Sequence, residues 1–428
     1  MKGLFVKASI AFAAAAFALG GAAIAETLYV RAGTLIDVGR GAALKDQMIR
    51  IENDRIAAVG PWTAPPDGAR VVDWSGKTVL PGLIDMHTHL VGDIQGAGLA
   101  DPLTYSEAED ALIGAANARA TLRAGFTAVR DVGVWRAFTD LALRDAIEKG
   151  LVEGPRMSAA GGYFTIPDGG GALTGVADDV AIPADFTRGV VNGPEDARMK
   201  ARIFLQRGVD FIKVIATGAV LTVGTEPGRQ ELSEEEMRAI VEEANRYGRK
   251  VTAHAHGAEG AKAAIRAGVA SIEHGSILDD EALAMMKKRG VVLVADIYNG
   301  DYIDEIGTRD RWPAETLRKN RETTDTQREV FWKAVKMGVK IAYGTDAGVF
   351  PHGQNARQFP YMVKYGMTPM AAIRAATIDA AALLGRNDIG SIAPGKFADM
   401  IAVDGDPLAD ISALTGEKVV MKGGGVVD

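Results

Sequence analysis

Between residues 82 and 343 the chain alternates short apolar runs with longer stretches of helical periodicity. The runs span 82–85, 127–130, 156–160, 211–214, 251–253, 271–273, 291–295 and 341–343, and each reads as a strand. Helical patterns follow nearly every one, at 106–124, 195–207, 233–247, 258–267 and 279–288 among others. Ser233 with Glu236 makes a capping box, and Pro194 followed by Glu195 and Asp196 suits a helix start. Gly125, Gly208, Gly268 and Gly290 stand where helices end, and glycine takes the left-handed closing conformation there. Eight strand–helix units over roughly 300 residues match a (β/α)8 barrel. A doubly wound open sheet remains the alternative, because strand order is not written in a sequence.

Both flanks have a different texture. Residues 27–32, 34–37, 48–52, 55–59 and 70–73 read as strands, with Asn53-Asp54 as a tight hairpin turn. Residues 400–403 and 419–422 repeat that texture at the far end. The expected division is one small β domain from 26–80 plus 386–428, around a barrel at 81–385. The long irregular stretches 163–191 and 299–313 read as lids or mobile segments. Asp168-Gly169-Gly170-Gly171 lacks the Gly-Lys-Ser/Thr ending of a phosphate loop and reads as a hinge.

Residues 1–25 read as a signal peptide rather than as fold. Lys2 and Lys7 precede an apolar stretch at 8–19, and Ala23-Ile24-Ala25 supplies a cleavage site before Glu26. The stretch is shorter than the ~20 residues a membrane-spanning helix needs. The expected product is a soluble exported protein with no stable membrane anchor, at home in a bacterial periplasm. No cysteine is present, which excludes disulfides, thiolate metal sites and a cysteine nucleophile. The balance of 48 Lys+Arg against 55 Asp+Glu, a net charge of −7, offers no basic stripe for a nucleic acid.

Five of the six histidines sit at the C-terminal ends of expected strands. His87 and His89 are two residues apart at the end of the first, so both imidazoles project from one face of an extended chain. His254 and His256 repeat that spacing at the end of the fifth, His274 ends the sixth, and Asp346 ends the eighth. That rim is where barrel enzymes hold their chemistry. A lone buried histidine is usually a structural hydrogen-bonding group, but that does not explain so many on one rim. Imidazole and carboxylate ligands suit zinc, with cobalt, nickel or manganese as substitutes. Lys213 lies on the fourth strand, in Phe211-Ile212-Lys213-Val214. Beside divalent cations a buried amine would lose its proton and can take up carbon dioxide as an anionic carbamate. The alternative is a packed stem whose charged head escapes to water or to an acid.

Taken together these segments resemble the amidohydrolase superfamily, metal-dependent hydrolases on a (β/α)8 barrel with a β-sandwich beside it. The matching motifs are Pro81-Gly82-Leu83-Ile84-Asp85-Met86-His87-Thr88-His89, Lys213, His254, His274, Gly344-Thr345-Asp346 and the terminal 390–399. The resemblance is strongest to the prolidase and imidazolonepropionase-like branch, which includes dipeptidases and an ochratoxinase. It implies that His87, His89 and Asp346 hold one divalent ion and that His254 and His274 hold a second. Lys213, carboxylated on its amine, would bridge them, with zinc the expected metal at both. Asp346, Lys213 and His274 then form the catalytic group. A tyrosine, Tyr163, stands where many relatives have histidine, which puts that residue's role in substrate selection in doubt here. A homo-oligomer is also implied.

Paired ions lower the pKa of water and polarise the scissile carbonyl. Asp346 would take the proton and pass it to the departing amine. Tyr163, His256 and Tyr298 are the polar groups expected near the substrate, with a packed aromatic the alternative for Tyr298. Arg130 and Asp131 read as structural pairs, and His352 as exposed. The expected reaction cleaves the amide of a small N-acyl amino acid or dipeptide, with ochratoxin A as a candidate. A lactonase or esterase on the same site, and a non-catalytic periplasmic metal- or solute-binding protein, are the competing readings.

Overall fold

The computed structural model describes residues 27–92, 101–177 and 179–428; the expected leader lies outside them. The first four strands are β1 (Thr27–Asp37), β2 (Ala42–Glu52), β3 (Arg55–Pro61) and β4 (Arg70–Pro81). The two runs expected at 27–32 and 34–37 are one strand bent at Gly33, where the register against β4 shifts. A Cβ at Gly33 would lie 1.9 Å from the Ser75 carbonyl oxygen, so only glycine lets the two backbones meet there. The hairpin expected at Asn53-Asp54 joins β2 to β3, with Glu52 opposite Arg55 and Asn53 in the left-handed region.

Next along the chain come β5 (Leu83–Thr88), β6 (Phe126–Asp131), β7 (Arg156–Ala159) and β8 (Tyr163–Phe164). They are followed by β9 (Phe211–Ile215), β10 (Lys250–Gly257), β11 (Ser271–Ile277) and β12 (Val292–Val294). The chain closes with β13 (Met400–Val403), β14 (Lys418–Lys422) and β15 (Gly425–Val427). Strands from the two ends of the chain share one sheet in the order β15-β14-β13-β4-β1-β2-β3. Val30, Ile49, Trp74, Val79, Met400 and Met421 form its apolar core.

The central strands pair in parallel, in the orders β5-β6-β7 and β12-β11-β10-β9-β8. Every residue of β5, β6 and β9 is buried, as expected where both faces are covered. The run expected at 341–343 forms no full ladder. It contributes a parallel bridge from Leu293 to Ile341, and the Met86 amide donates to the Tyr343 carbonyl at 2.8 Å. A further parallel bridge joins Thr88 to Ala347.

The helices fall close to the expected segments, including Glu107–Arg123, Pro194–Gln206, Glu234–Arg246 and Asp280–Arg289. The Ser233–Glu236 capping box is present, with a second from Ser106 and Glu109. The stretch expected to be irregular at 299–313 is mostly a helix, Asn299–Asp310. Its inward face is Asn299, Gly300, Ile303 and Gly307, so two glycines hide the apolar period from a sequence reading. It packs on the 24-residue helix Ala314–Met337. Among the described residues no helix is long and apolar enough to cross a membrane.

Candidate metal centre

His87 belongs to β5 and His89 follows its end, and the Nε2 atoms of both lie 3.3 Å from Oδ1 of Asp346. The segment carrying Asp346 comes this close because Gly344 has no side chain. A Cβ there would lie 2.2 Å from Cγ1 of Val294 and 3.0 Å from Cβ of His87. Asp346 has φ +58° and His274 has φ +67°, left-handed conformations that cost a non-glycine residue about 1–3 kcal/mol. Both strained residues turn their side chains into this centre.

Across from Asp346, His254 and His256 of β10 meet His274 of β11, with ring centroids 4.5–4.8 Å apart. In each of three sets, His87–His89–Asp346, His254–His256–His274 and His274–Asp296–Asp346, the donor atoms lie within 4.8 Å of one another. His274 and Asp346 belong to more than one set, so the sets are continuous. Lys213 of β9 pairs in register with Thr252 of β10 and Tyr163 of β8, and is 2 % exposed. Burial lowers its ammonium to about 8, against the pull of Glu273 and Asp346.

Each histidine spends one ring nitrogen on a fixed partner and keeps the other for the centre. Nδ1 of His87 meets Oε2 of Glu273 at 2.9 Å, and Nδ1 of His274 meets Oδ1 of Asp296 at 3.0 Å. Nδ1 of His89 donates to the Gly133 carbonyl (2.8 Å), Nε2 of His254 to the Gly218 carbonyl (3.2 Å), and Nδ1 of His256 pairs with Oγ of Ser276 (2.7 Å). Such partners fix ring orientation and tautomer at metal sites. Nε2 of His87 is buried without a hydrogen-bond partner, the state of a donor atom shaped for a cation. Five imidazoles, two carboxylates and a buried amine suit divalent ions.

The carboxylates are themselves held. Oε1 of Glu273 accepts from Nη2 of Arg130 (2.7 Å), Oγ of Ser271 (2.7 Å) and Oγ1 of Thr252. Burial works to raise the Glu273 carboxyl, but Arg130 and His87 outweigh it and hold it well below the usual range. Asp296 accepts from Nε2 of Gln327 at 2.9 Å, and Nδ2 of Asn299 reaches both Asp296 and Asp346 at 3.1 Å. Burial, and then the neighbouring His274, depress His256 to about 3.

All six residues expected to ligate metal come together here. Tyr163 and His256 line the adjoining cavity of about 170 Å³, and the Tyr163 hydroxyl donates to the Gly133 carbonyl at 3.1 Å. Tyr298 does not line it. Its ring packs on Phe350 and Tyr361, and its hydroxyl accepts from Arg357, so the packed-aromatic alternative describes it. Arg130 pairs with Glu273 rather than with Asp131. His352, expected to be exposed, is half-buried between Oγ1 of Thr121 and the His89 carbonyl. Glu273, Asp296, Asn299 and Gln327 were not anticipated. For Asp296 a signal existed, since it directly follows the seventh expected strand, at the same rim as the ligands.

Residues 78–427 match the model of the amidohydrolase family. The ochratoxinase of Aspergillus niger is 32% identical over 433 residues, covering 92% of this chain and 85% of that protein. A Xaa-Pro dipeptidase solved with methionine in its active site is 37% identical, with a TM-score of 0.88 over 94% of this chain and 100% of that one. A prolidase complexed with N-methylphosphonate-L-proline is 30% identical, with a TM-score of 0.88 over 94% of this chain and 99% of that one. The chain therefore belongs to the amidohydrolase family, typically metal-dependent hydrolases of C–N bonds, on its prolidase- and ochratoxinase-like branch.

Proposed function

We propose that this protein is an exported binuclear hydrolase that cleaves the amide bond of small N-acyl amino acids and dipeptides. The observation that carries the reading is the pair of donor sets, His87–His89–Asp346 and His254–His256–His274, linked through His274 and Asp346, with the buried Lys213 lining the same cavity. The charge of Lys213 acts on both His87 and His254, which suits a bridging position. His87, His89 and Asp346 would hold one zinc ion, His254 and His274 the other, and Lys213 as a carbamate would serve both. Bound there, the ions would polarise the scissile carbonyl and make water a nucleophile at neutral pH.

The chain's own groups supply the proton traffic. Asp346, its Oδ2 fixed by Asn299, accepts the proton of the attacking water and delivers it to the departing amine. His274, held by Asp296, keeps its ring in place throughout. His256 and Tyr163 face the substrate. The dipeptidase, prolidase and ochratoxinase relatives support an amide substrate with a free C-terminal residue, and ochratoxin A is a candidate.

The scaffold in this reading is a (β/α)8 barrel at 81–385, with 26–80 and 386–428 as its β-sandwich. The bridges Leu293–Ile341 and Thr88–Ala347 support joining the two parallel sheets into one closed ring. The reading of 1–25 as a leader supports export to a periplasm. Exposed Leu112, Leu151 and Trp332 offer apolar surface for a homo-oligomer. The test is a hydrolysis screen of the zinc-loaded protein against Xaa-Xaa dipeptides, N-acyl amino acids, ochratoxin A and a set of lactones. Amides should be cleaved first; preferential turnover of lactones, or none at all with two metals bound, would overturn the reading.

A further inference from the structure

The segment 218–225, which follows β9, makes one wall of the cavity beside the metal centre. It belongs to no strand or helix, so something else must hold its shape. Lys319, on the helix Ala314–Met337, is completely buried. Its Nζ donates to the carbonyls of Ala219 (3.1 Å), Thr222 (2.7 Å) and Thr225 (2.9 Å). Oε1 of Glu315 lies 2.9 Å from the same Nζ and accepts from the Gly224 amide at 3.0 Å. An ammonium has three protons and no acceptor. Those four acceptors use all of them, so Lys319 has no donor left for a bound molecule.

The segment carries this anchorage in two directions. Oγ1 of Thr222 donates to the Gly170 carbonyl (2.7 Å), and the Val223 carbonyl accepts from Oγ1 of Thr174 (2.9 Å). Both partners belong to the loop that forms the neighbouring wall. At its inner end the Gly218 carbonyl accepts from His254. The surface it presents is apolar: Val220 and Leu221 face the cavity together with Leu173 and Trp312. Among the described lining residues, Lys213 at the metal centre is the one lysine or arginine.

We infer that Lys319 is a positioning residue for substrate selection, fixing 218–225 so that Val220 and Leu221 form a subsite for an apolar, uncharged substrate side chain. This rests on the reading that the cavity takes the amide substrate. A lysine that merely stabilised the fold would lower stability on removal and leave the ranking of substrates as it was.

The test compares zinc-loaded wild type, Lys319→Met and Lys319→Arg. The measurements are kcat and KM on dipeptides with apolar or acidic side chains, zinc content, hydrogen exchange at 218–225, and calorimetric binding of N-acetyl-phenylalanine and N-acetyl-aspartate to the chelator-treated protein, which cannot hydrolyse them. Lys319→Met should raise KM for apolar substrates about tenfold, with kcat within about threefold, the split expected when binding but not chemistry is lost. Zinc content should hold, exchange at 218–225 should quicken, and the preference for N-acetyl-phenylalanine should shrink, with Lys319→Arg falling between. An unchanged preference, or unchanged exchange, overturns the inference. Should Lys319→Met fail to fold, Glu315→Gln loosens the same anchor, and the same two outcomes decide. If wild type cleaves no amide, the amidase reading fails separately, and the exchange and binding measurements still decide the role of Lys319.

Discussion

Glu273 and His87, 186 residues apart in the chain, meet in the buried core with Oε2 of one 2.9 Å from Nδ1 of the other. Because Glu273 takes Nδ1, the lone pair of His87 is left on Nε2, which faces Asp346 at 3.3 Å. Arg130, Ser271 and Thr252 in turn keep Glu273 ionised and aimed.

Replacing Glu273 by glutamine should therefore weaken metal binding while leaving the ligands in place. The expected loss is about 10–100-fold in zinc affinity, the usual consequence of removing a ligand's outer hydrogen-bond partner. Competition with a chelator, followed by metal analysis, reads it directly. Equal affinity in variant and wild type would mean that His87 needs no brace.

Asn299 ties two carboxylates together, donating from Nδ2 to Asp346 and Asp296, each at 3.1 Å. Asn299→Ala frees the oxygen of Asp346 on which the proposed proton transfer depends. The expected result is a fall in kcat of about a hundredfold with little change in KM, the scale of a small misplacement of a reacting group. A rise in KM at constant kcat would instead put Asn299 on the substrate.

The recognisable motif near the C-terminus has a structural task. Asp399 accepts from Nε (2.7 Å) and Nη2 (3.1 Å) of Arg156 and from the Gly423 amide (2.8 Å), which ties β7 to the terminal sheet. Asp399→Ala should cost about 3 kcal/mol, since it leaves a largely buried arginine without its partner. Thermal unfolding should show the loss, and kcat/KM at a temperature where both proteins are folded should not change.

Far from the metal centre, burial depresses Lys418 to about 8, below the unfolded value of 10.5. Below pH 8 both folded and unfolded chains carry the proton, and the folded protein bears the cost of a partly buried charge whose Nζ donates to the Gly416 carbonyl at 2.9 Å. From pH 8 to 10.5 the unfolded state binds more protons than the native one, so stability rises with pH. Lys418→Met should therefore stabilise the protein at pH 7, and the gain should fade toward pH 10.5. Denaturant titrations at several pH values measure it, and a gain that stays constant across that range would mean that Lys418 titrates alike in the folded and unfolded chain.

The residues of the candidate metal centre were legible because each leaves a local mark. His87 with His89 and His254 with His256 announce themselves by a two-residue spacing at strand ends, and Lys213 by a charge inside an apolar run. Glu273, Asn299 and Gln327 carry no such mark, since each matters through a partner brought near only by folding, and Asp296 shows only its place at the end of the seventh expected strand. Tyr298 misled for the opposite reason. Its place just past a strand suggested the rim, but it sits at the start of a helix and turns into an aromatic cluster. The eighth run was visible as apolar sequence, yet it makes only a bridge before the chain turns so that Asp346 can adopt φ +58°. The segment 299–313 hid its helix behind glycines.

Anomalous diffraction at the zinc edge from crystals of active enzyme would show whether two ions sit in the cavity. Two peaks are expected, one against His87, His89 and Asp346 and one against His254 and His274, with density beyond Nζ of Lys213 lying between them. A single peak or none, in crystals whose dissolved protein still hydrolyses amides, would contradict the binuclear account.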